Sequence, residues 1–344
     1  MDILDNANVV QQRDPQDALG VALHQCEYFD VTFDATFEPK QEVRSIVWSG
    51  MGGSALPAVV VDSWPELTIP FEIIRNYAIP PYVGPDTLFI ASSYSGNTEE
   101  TLEALTAAEK AGAQIAVIAA GGKLAERAKT AGHPLFHIPP GIQPRMATFY
   151  FVSAFLAIVR PLADTVHDVS ELSHVGTWLE KQLEEFTQTI PTKDNYAKQI
   201  AGKLVGKTVI TYGGPLLFPA ANKLKICVNE NAKNTAWTNQ YPEFNHNEFM
   251  GWTSHPDEKP FAVVEFRSNL EHERVQKRFD VTERLLSGMR PAPIIIRPKG
   301  ETLLQQLAWS FAFSDFVSIY LAILNGVNPT PVTLIEKFKK ELNS

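Results

Sequence analysis

Thr87-Leu88-Phe89-Ile90-Ala91-Ser92-Ser93-Tyr94-Ser95-Gly96-Asn97-Thr98-Glu99-Glu100-Thr101 reads as a buried strand that turns into a helix through hydroxyls and one glycine. Backbone N–H groups at a helix N-terminus have no intrahelical acceptor and attract anions. Ser93, Ser95 and Thr98 add neutral donors around the same spot, a chemistry that suits a phosphate. Without further context the segment also reads as an ordinary Ser/Thr cap on a surface helix.

The residues around it repeat the pattern. Apolar runs at 45–48, 71–74, 88–91, 115–118 and 135–138 are strand candidates, and 99–111 and 123–130 read as helices between them. Strands alternating with helices imply an α/β fold with a parallel sheet covered on both faces. Such sheets bind ligands at the C-terminal ends of their strands. Gly50-Met51-Gly52-Gly53-Ser54 and Ser92–Thr98 both fall at such ends. The second half restarts the pattern. Residues 207–211 run into Tyr212-Gly213-Gly214-Pro215, a helix over 220–233 follows, and 261–265 and 293–297 are further strands. Between the halves, 161–203 is helical, with Pro191 as punctuation. Two α/β/α sandwich domains with parallel sheets are therefore expected, over 1–165 (with an N-terminal helical extension) and 166–344 (with linker helices).

A chain of 344 residues has room for two domains of about 150 residues each. Its net charge of −9 argues against a nucleic-acid backbone as partner, although a local nest of N–H groups still accepts a small anion. Two cysteines, Cys26 and Cys227, give no disulfide framework and no metal-ligand spacing, so a reducing cytosol is the expected compartment and no metal is expected. The first residues lack the regions of a signal peptide. The apolar stretch 303–324 is interrupted by Gln305, Gln306, Ser310, Ser314, Asp315 and Ser318, and reads as a buried helix, not a membrane span.

Gly50–Ser54 alone fits a tight turn, a dinucleotide loop or a phosphate loop; G-x-G-x-x-G is incomplete here, because Ala55 stands at the third glycine position. Beside Ser93–Thr98, Gly53 and Ser54 suit close backbone approach to a phosphate. Arg145 lies among prolines, and a positionally fixed arginine can stabilise an oxyanion; taken alone, its segment favours a surface salt bridge. Glu230 follows Ile226-Cys227-Val228, beside a buried helix. There it suits either a general base or a member of a structural network. His246, between two asparagines, is either a proton carrier or a solvent-facing loop histidine. No G-x-S-x-G nucleophile elbow occurs.

Five motifs together resemble the sugar isomerase (SIS) domain proteins, and within them the bifunctional phosphoglucose/phosphomannose isomerases. They are Gly50–Ser54, Ser92–Leu102, Gln143-Pro144-Arg145-Met146-Ala147, Asn229-Glu230-Asn231-Ala232-Lys233 and Phe244-Asn245-His246-Asn247-Glu248. The resemblance spans about residues 40–344 and implies two SIS domains, each with a five-stranded parallel sheet. It implies that Gly53, Ser54, Ser93, Ser95 and Thr98 hold phosphate, Arg145 stabilises an enediolate and Glu230 shuttles a proton between C1 and C2. It also implies that His246 opens the sugar ring from the neighbouring subunit of a homodimer with shared active sites. A C-terminal lysine assists in the family, and the register here selects Lys339. Lys337 and Lys339 point about 200° apart on a helix, so both cannot face one ligand. Where relatives carry more glycines and an aspartate after the first loop, this chain has Ala55-Leu56-Pro57-Ala58-Val59-Val60-Val61.

The function so implied is cofactor-free interconversion of glucose 6-phosphate, and mannose 6-phosphate, with fructose 6-phosphate. Two alternatives stand beside it: a catalytically silent SIS-domain sensor of a phosphosugar, and an isomerase of another phosphosugar. A sensor would need the Ser93–Thr98 segment but not Glu230, Arg145 and His246 together.

Overall fold

The computed structural model describes residues 3–162, 170–254 and 260–342. The chain divides into two compact units: His24–Trp178, and Met1–Leu23 together with Leu179–Ser344. These bounds differ from the expected division at 165/166, and the first 23 residues group with the C-terminal unit. The reason lies in side chains: Lys198 Nζ donates to the Leu4 carbonyl and to Asp5 Oδ1, at 3.0 and 3.1 Å. Helices α1 (Ala7–Arg13) and α2 (Ala18–Leu23) belong to this early segment.

The His24–Trp178 unit is built on five parallel strands: β1 (Ser45–Ser49), β2 (Phe71–Ile74), β3 (Thr87–Ser93), β4 (Gln114–Ala119) and β5 (Leu135–His137). Their order is β2-β1-β3-β4-β5, with β3 central and buried along its whole length. Helices α3 (Leu56–Ser63), α4 (Glu99–Lys110), α5 (Gly122–Ala131) and α6 (Thr148–Val159) cover the sheet. Ala104, Leu105 and Ala108 of α4 and Leu124, Ala125 and Ala128 of α5 pack with Phe89, Ala91 and Val117 in one apolar cluster. Removing such apolar area from water is the main favourable term in holding these layers together.

The division between the units falls within α7 (Leu172–Leu183). The other unit continues with α8 (Tyr196–Leu204), β6 (Thr208–Gly213), α9 (Phe218–Glu230), β7 (Ala236–Gln240), α10 (Glu248–Gly251), β8 (Phe261–Phe266), α11 (Glu273–Leu285), β9 (Ile294–Ile296), α12 (Leu303–Asn325) and α13 (Thr333–Leu342). Its parallel sheet has the order β7-β6-β8-β9. Among the described residues it has four strands, not the five the resemblance implies. The polar segment that holds β7 gives no sign of a strand in its sequence. The expected helix over 220–233 ends at Glu230.

α12 opens on a capping box, Thr302 with Gln305, and ends at Gly326 in the left-handed conformation (φ 72°). It is long and apolar enough to cross a membrane, yet nearly all of it is buried inside the unit. Its buried hydroxyls Ser310, Ser314 and Ser318 donate to the helix carbonyls of Gln306, Ser310 and Asp315.

Candidate active site

In the His24–Trp178 unit, β1 and β3 release the chain side by side at their C-terminal ends, as parallel neighbours must. After β1 a 3-10 turn, Gly52–Ser54, brings Ser54 against β3: its carbonyl accepts from Ser92 Oγ at 3.1 Å, and its Oγ accepts from the Tyr94 N–H at 2.9 Å. After β3, Ser93 Oγ and Thr98 Oγ1 lie 2.8 Å apart, and the Gly96 N–H donates to Ser93 Oγ at 3.1 Å. Either hydroxyl can donate to the other, and the one that accepts keeps its own proton for an anion. Thr98 sits at the N-cap of α4 but makes no side-chain cap, because its hydroxyl is turned to Ser93. The first-turn N–H groups of α4 therefore meet no capping oxygen from Thr98, the arrangement that favours a phosphate. Ser95 is exposed at the same turn.

Arg145 joins this cluster. It lies in the turn Pro144–Met146 and is 1% exposed, which removes the surface salt bridge that its segment suggested. Its Nη1 donates to Gln143 Oε1 at 3.1 Å. A Cβ built on Gly53 would lie 2.7 Å from the Arg145 backbone nitrogen, so only glycine lets the two turns meet this closely. Tyr94 ties the Ser93–Thr98 turn to the loop that precedes Arg145. Its hydroxyl donates to the Pro139 carbonyl at 2.9 Å and accepts from the Ile142 N–H at 3.0 Å, and burial raises its pKa. The sequence alone assigns no part to Tyr94 or Gln143; their place beside hydroxyls and arginine is the signal it offers.

The other unit holds the remaining residues. Glu230 is the last residue of α9, half-buried, on the wall of a cavity of about 560 Å³. Lys225, Asn229, Lys233 and Trp237 line it on one side, and the stretch 331–335 on the other. His246 ends the 3-10 turn Glu243–His246, is exposed, and does not line this cavity. Its neighbours are tied down. Asn245 Nδ2 donates to Thr282 Oγ1 at 2.9 Å, Asn247 Nδ2 donates to Glu243 Oε1 at 2.7 Å, and Phe244 is fully buried. Glu248 is occupied structurally, accepting from Asn239 Nδ2 at 2.7 Å and from the Tyr212 hydroxyl. Lys339 is exposed on α13, one turn beyond Ile335 of the cavity wall. Among the described residues, no three His, Cys, Asp or Glu side chains are grouped to hold a metal ion.

Residues 193–342 match a family model described as the bacterial phospho-glucose isomerase C-terminal SIS domain. Over 322 residues the chain is 33% identical to a bifunctional phosphoglucose/phosphomannose isomerase of Aquifex aeolicus, covering 93% of this chain and 95% of that one. A protein of the same description from Caldicellulosiruptor bescii is 34% identical, covering 88% of this chain and 90% of its own length. Among solved structures, a glucose-6-phosphate isomerase like protein from Thermus thermophilus superposes with a TM-score of 0.65 at 18% identity, over 99% of both chains. At that identity the likeness concerns the fold.

Proposed function

Because the chain belongs to the bifunctional phosphoglucose/phosphomannose isomerase family, we propose that it interconverts glucose 6-phosphate, and mannose 6-phosphate, with fructose 6-phosphate through an enediolate. The observation that carries this reading is the paired Ser93 and Thr98 hydroxyls at the α4 N-terminus, in the unit where Gly53 admits a buried arginine. With Ser54, Ser95 and the Gly53 backbone, they hold the phosphate, and that binding energy positions the far end of the sugar.

His246 and Lys339 move the protons that open the ring. Glu230 then removes the C2 proton of the aldose; the C–H electron pair becomes the C1–C2 double bond of the enediolate, and negative charge collects on the C1 oxygen. Arg145 stabilises that oxygen. Glu230 returns the proton to C1 while the C2 hydroxyl proton passes to the C1 oxygen, so that the C2 carbonyl forms and the C1 hydroxyl is restored. The two aldoses differ only at C2 and give the same enediolate, so one base serves both.

We read the active assembly as a homodimer in which each exposed His246 serves the partner's site. The cytosol is the compartment that suits the two cysteines, neither of which forms a disulfide. The joint presence of Glu230, Arg145 and His246 favours an enzyme over a silent phosphosugar sensor.

A coupled assay for fructose 6-phosphate, starting from each aldose phosphate without added metal, tests the reading. Product from both is expected, and product from neither overturns it. Glu230→Gln should keep phosphosugar binding while lowering kcat by more than about 100-fold, the lower end of general-base contributions. Near-normal turnover would remove Glu230 from this role.

A further inference from the structure

Glu230 closes α9, where a helix leaves its last carbonyls without intrahelical donors. Lys233 folds back over this end in the left-handed conformation (φ 51°). Its ammonium donates to the carbonyls of Glu230 and Asn231, at 2.8 and 3.3 Å. The same ammonium, its three N–H groups shared among four oxygens, reaches the carbonyls of Asn328 and Pro329 at 2.7 and 3.1 Å. A lysine that merely capped the helix would need only the first pair. The second pair belongs to the loop that leads into the opposite wall of the Glu230 cavity.

The helix is fixed from behind as well. Lys223 and Cys227 of α9 and its C-cap Asn231 recur every fourth residue along one buried line. Lys223 Nζ lies 2.7 and 2.8 Å from the two oxygens of Asp315 on α12, and Cys227 Sγ donates to the same carboxylate at 3.1 Å. Asn231 Nδ2 donates to Ser318 Oγ at 2.8 Å. A fully buried ion pair contributes little net stability over apolar packing of the same volume. Its directional bonds instead fix how far α9 slides and turns on α12.

Resting on the assignment of Glu230 as the base, we propose that Lys233 is a positioning residue for the proton transfer. Its four-carbonyl clasp sets the Glu230 main chain against the 328–335 wall, while the Lys223–Asp315 seam holds the helix behind it. The carboxylate thereby meets C1 and C2 in turn without moving its backbone, as a base that carries one proton between adjacent carbons requires.

The test compares Lys233→Met with the wild-type chain in kcat, KM and melting temperature. It also measures, in deuterated solvent, the fraction of the aldose C2 proton that arrives at C1 of fructose 6-phosphate. That fraction does not depend on how much enzyme is folded. Lys233→Met is expected to lower kcat at least about tenfold with KM little changed, and to reduce the transferred fraction, because small misplacements of a catalytic group cost about that much or more. Lys233→Arg should restore part of the loss, since it keeps a cationic donor for the carbonyls, but its planar fork cannot converge on them as the N–H groups of one ammonium nitrogen do. A wild-type kcat and transferred fraction overturn the proposal, as does a fall in kcat with a lower melting temperature but an unchanged fraction. If Lys233→Met fails to fold, Lys233→Gln is read in the same way. An active Glu230→Gln would instead remove the reading on which this proposal rests.

Discussion

A Cβ at Gly53 would also lie 2.7 Å from the carbonyl carbon of Pro144, and both close neighbours are backbone in a turn stiffened by proline. Gly53→Ala is therefore expected to push the Arg145 turn away and to destabilise the protein by about 1–3 kcal/mol, as overpacking does. On the proposed role of Arg145, turnover should fall further than the lost stability explains, because the guanidinium would be displaced from the oxyanion. Thermal melting together with kcat checks this, and unchanged values for both would mean that the turn absorbs the methyl. The pairing of Gly53 with Arg145 is hidden in the sequence because 92 positions of chain separate them. Read locally, an arginine between prolines is a surface residue. Its burial depends on a glycine elsewhere, which no local pattern records. Ser93 and Thr98 are legible, because both lie within a single strand-to-helix turn.

Among the elements, legibility follows apolar runs. The central strands β1, β3 and β4 carry them because a parallel sheet covered on both faces selects such residues, and the edge strands β2 and β5 carry shorter ones although they are only partly buried. β7 does not. It is an edge strand paired only with β6, and its Trp237 is 55% exposed, so Ala-Trp-Thr-Asn-Gln carries no apolar run. The end of α9 is also hard to read, since Ala232 and Lys233 after it are good helix formers, while Lys233 instead bonds to the carbonyls of Asn328 and Pro329. Helices α4 and α5 carry a prediction of their own. Arg127 Nε donates to Glu109 Oε1 at 3.2 Å, its Nη2 pairs with Oε2, and His133 Nε2 lies 2.9 Å from Oε1. Partial burial alone would raise the Glu109 pKa, but the bonds from Arg127 and His133 outweigh it and hold the carboxyl below its ordinary value of 4.5. The native state thus favours the ionised form. The stability this adds is fully present above the unfolded carboxylate's pKa and is lost as pH falls through the lowered folded value. Glu109→Gln should therefore melt below wild type at pH 7, with the gap closing as the buffer is taken well below pH 4.5. A gap that stays constant across that range would mean the pair contributes packing and not charge.

For the whole molecule, the division of labour between exposed and enclosed residues bears on assembly. Glu230 lines a cavity, whereas His246 stands exposed on a turn whose flanking asparagines are both tied down. A rigidly presented, exposed histidine that does not share its own chain's Glu230 cavity suits a residue donated to a second copy, as the proposed homodimer requires. A closed two-fold dimer would then carry two equivalent composite sites, each with Glu230 from one chain and His246 from the other. Complementation follows from this arrangement. Glu230→Gln and His246→Ala are each expected to be nearly inactive as homodimers. After unfolding and refolding together at equal concentration, random pairing makes about half of the dimers mixed, and each mixed dimer holds one intact site and one doubly damaged site. Activity should therefore recover to about a quarter of wild type. The check is the coupled assay before and after co-refolding, with size-exclusion chromatography following the assembly. Dimers that exchange chains without any gain in activity would place both residues of each site in one chain, and His246 would then have to reach the Glu230 of its own subunit.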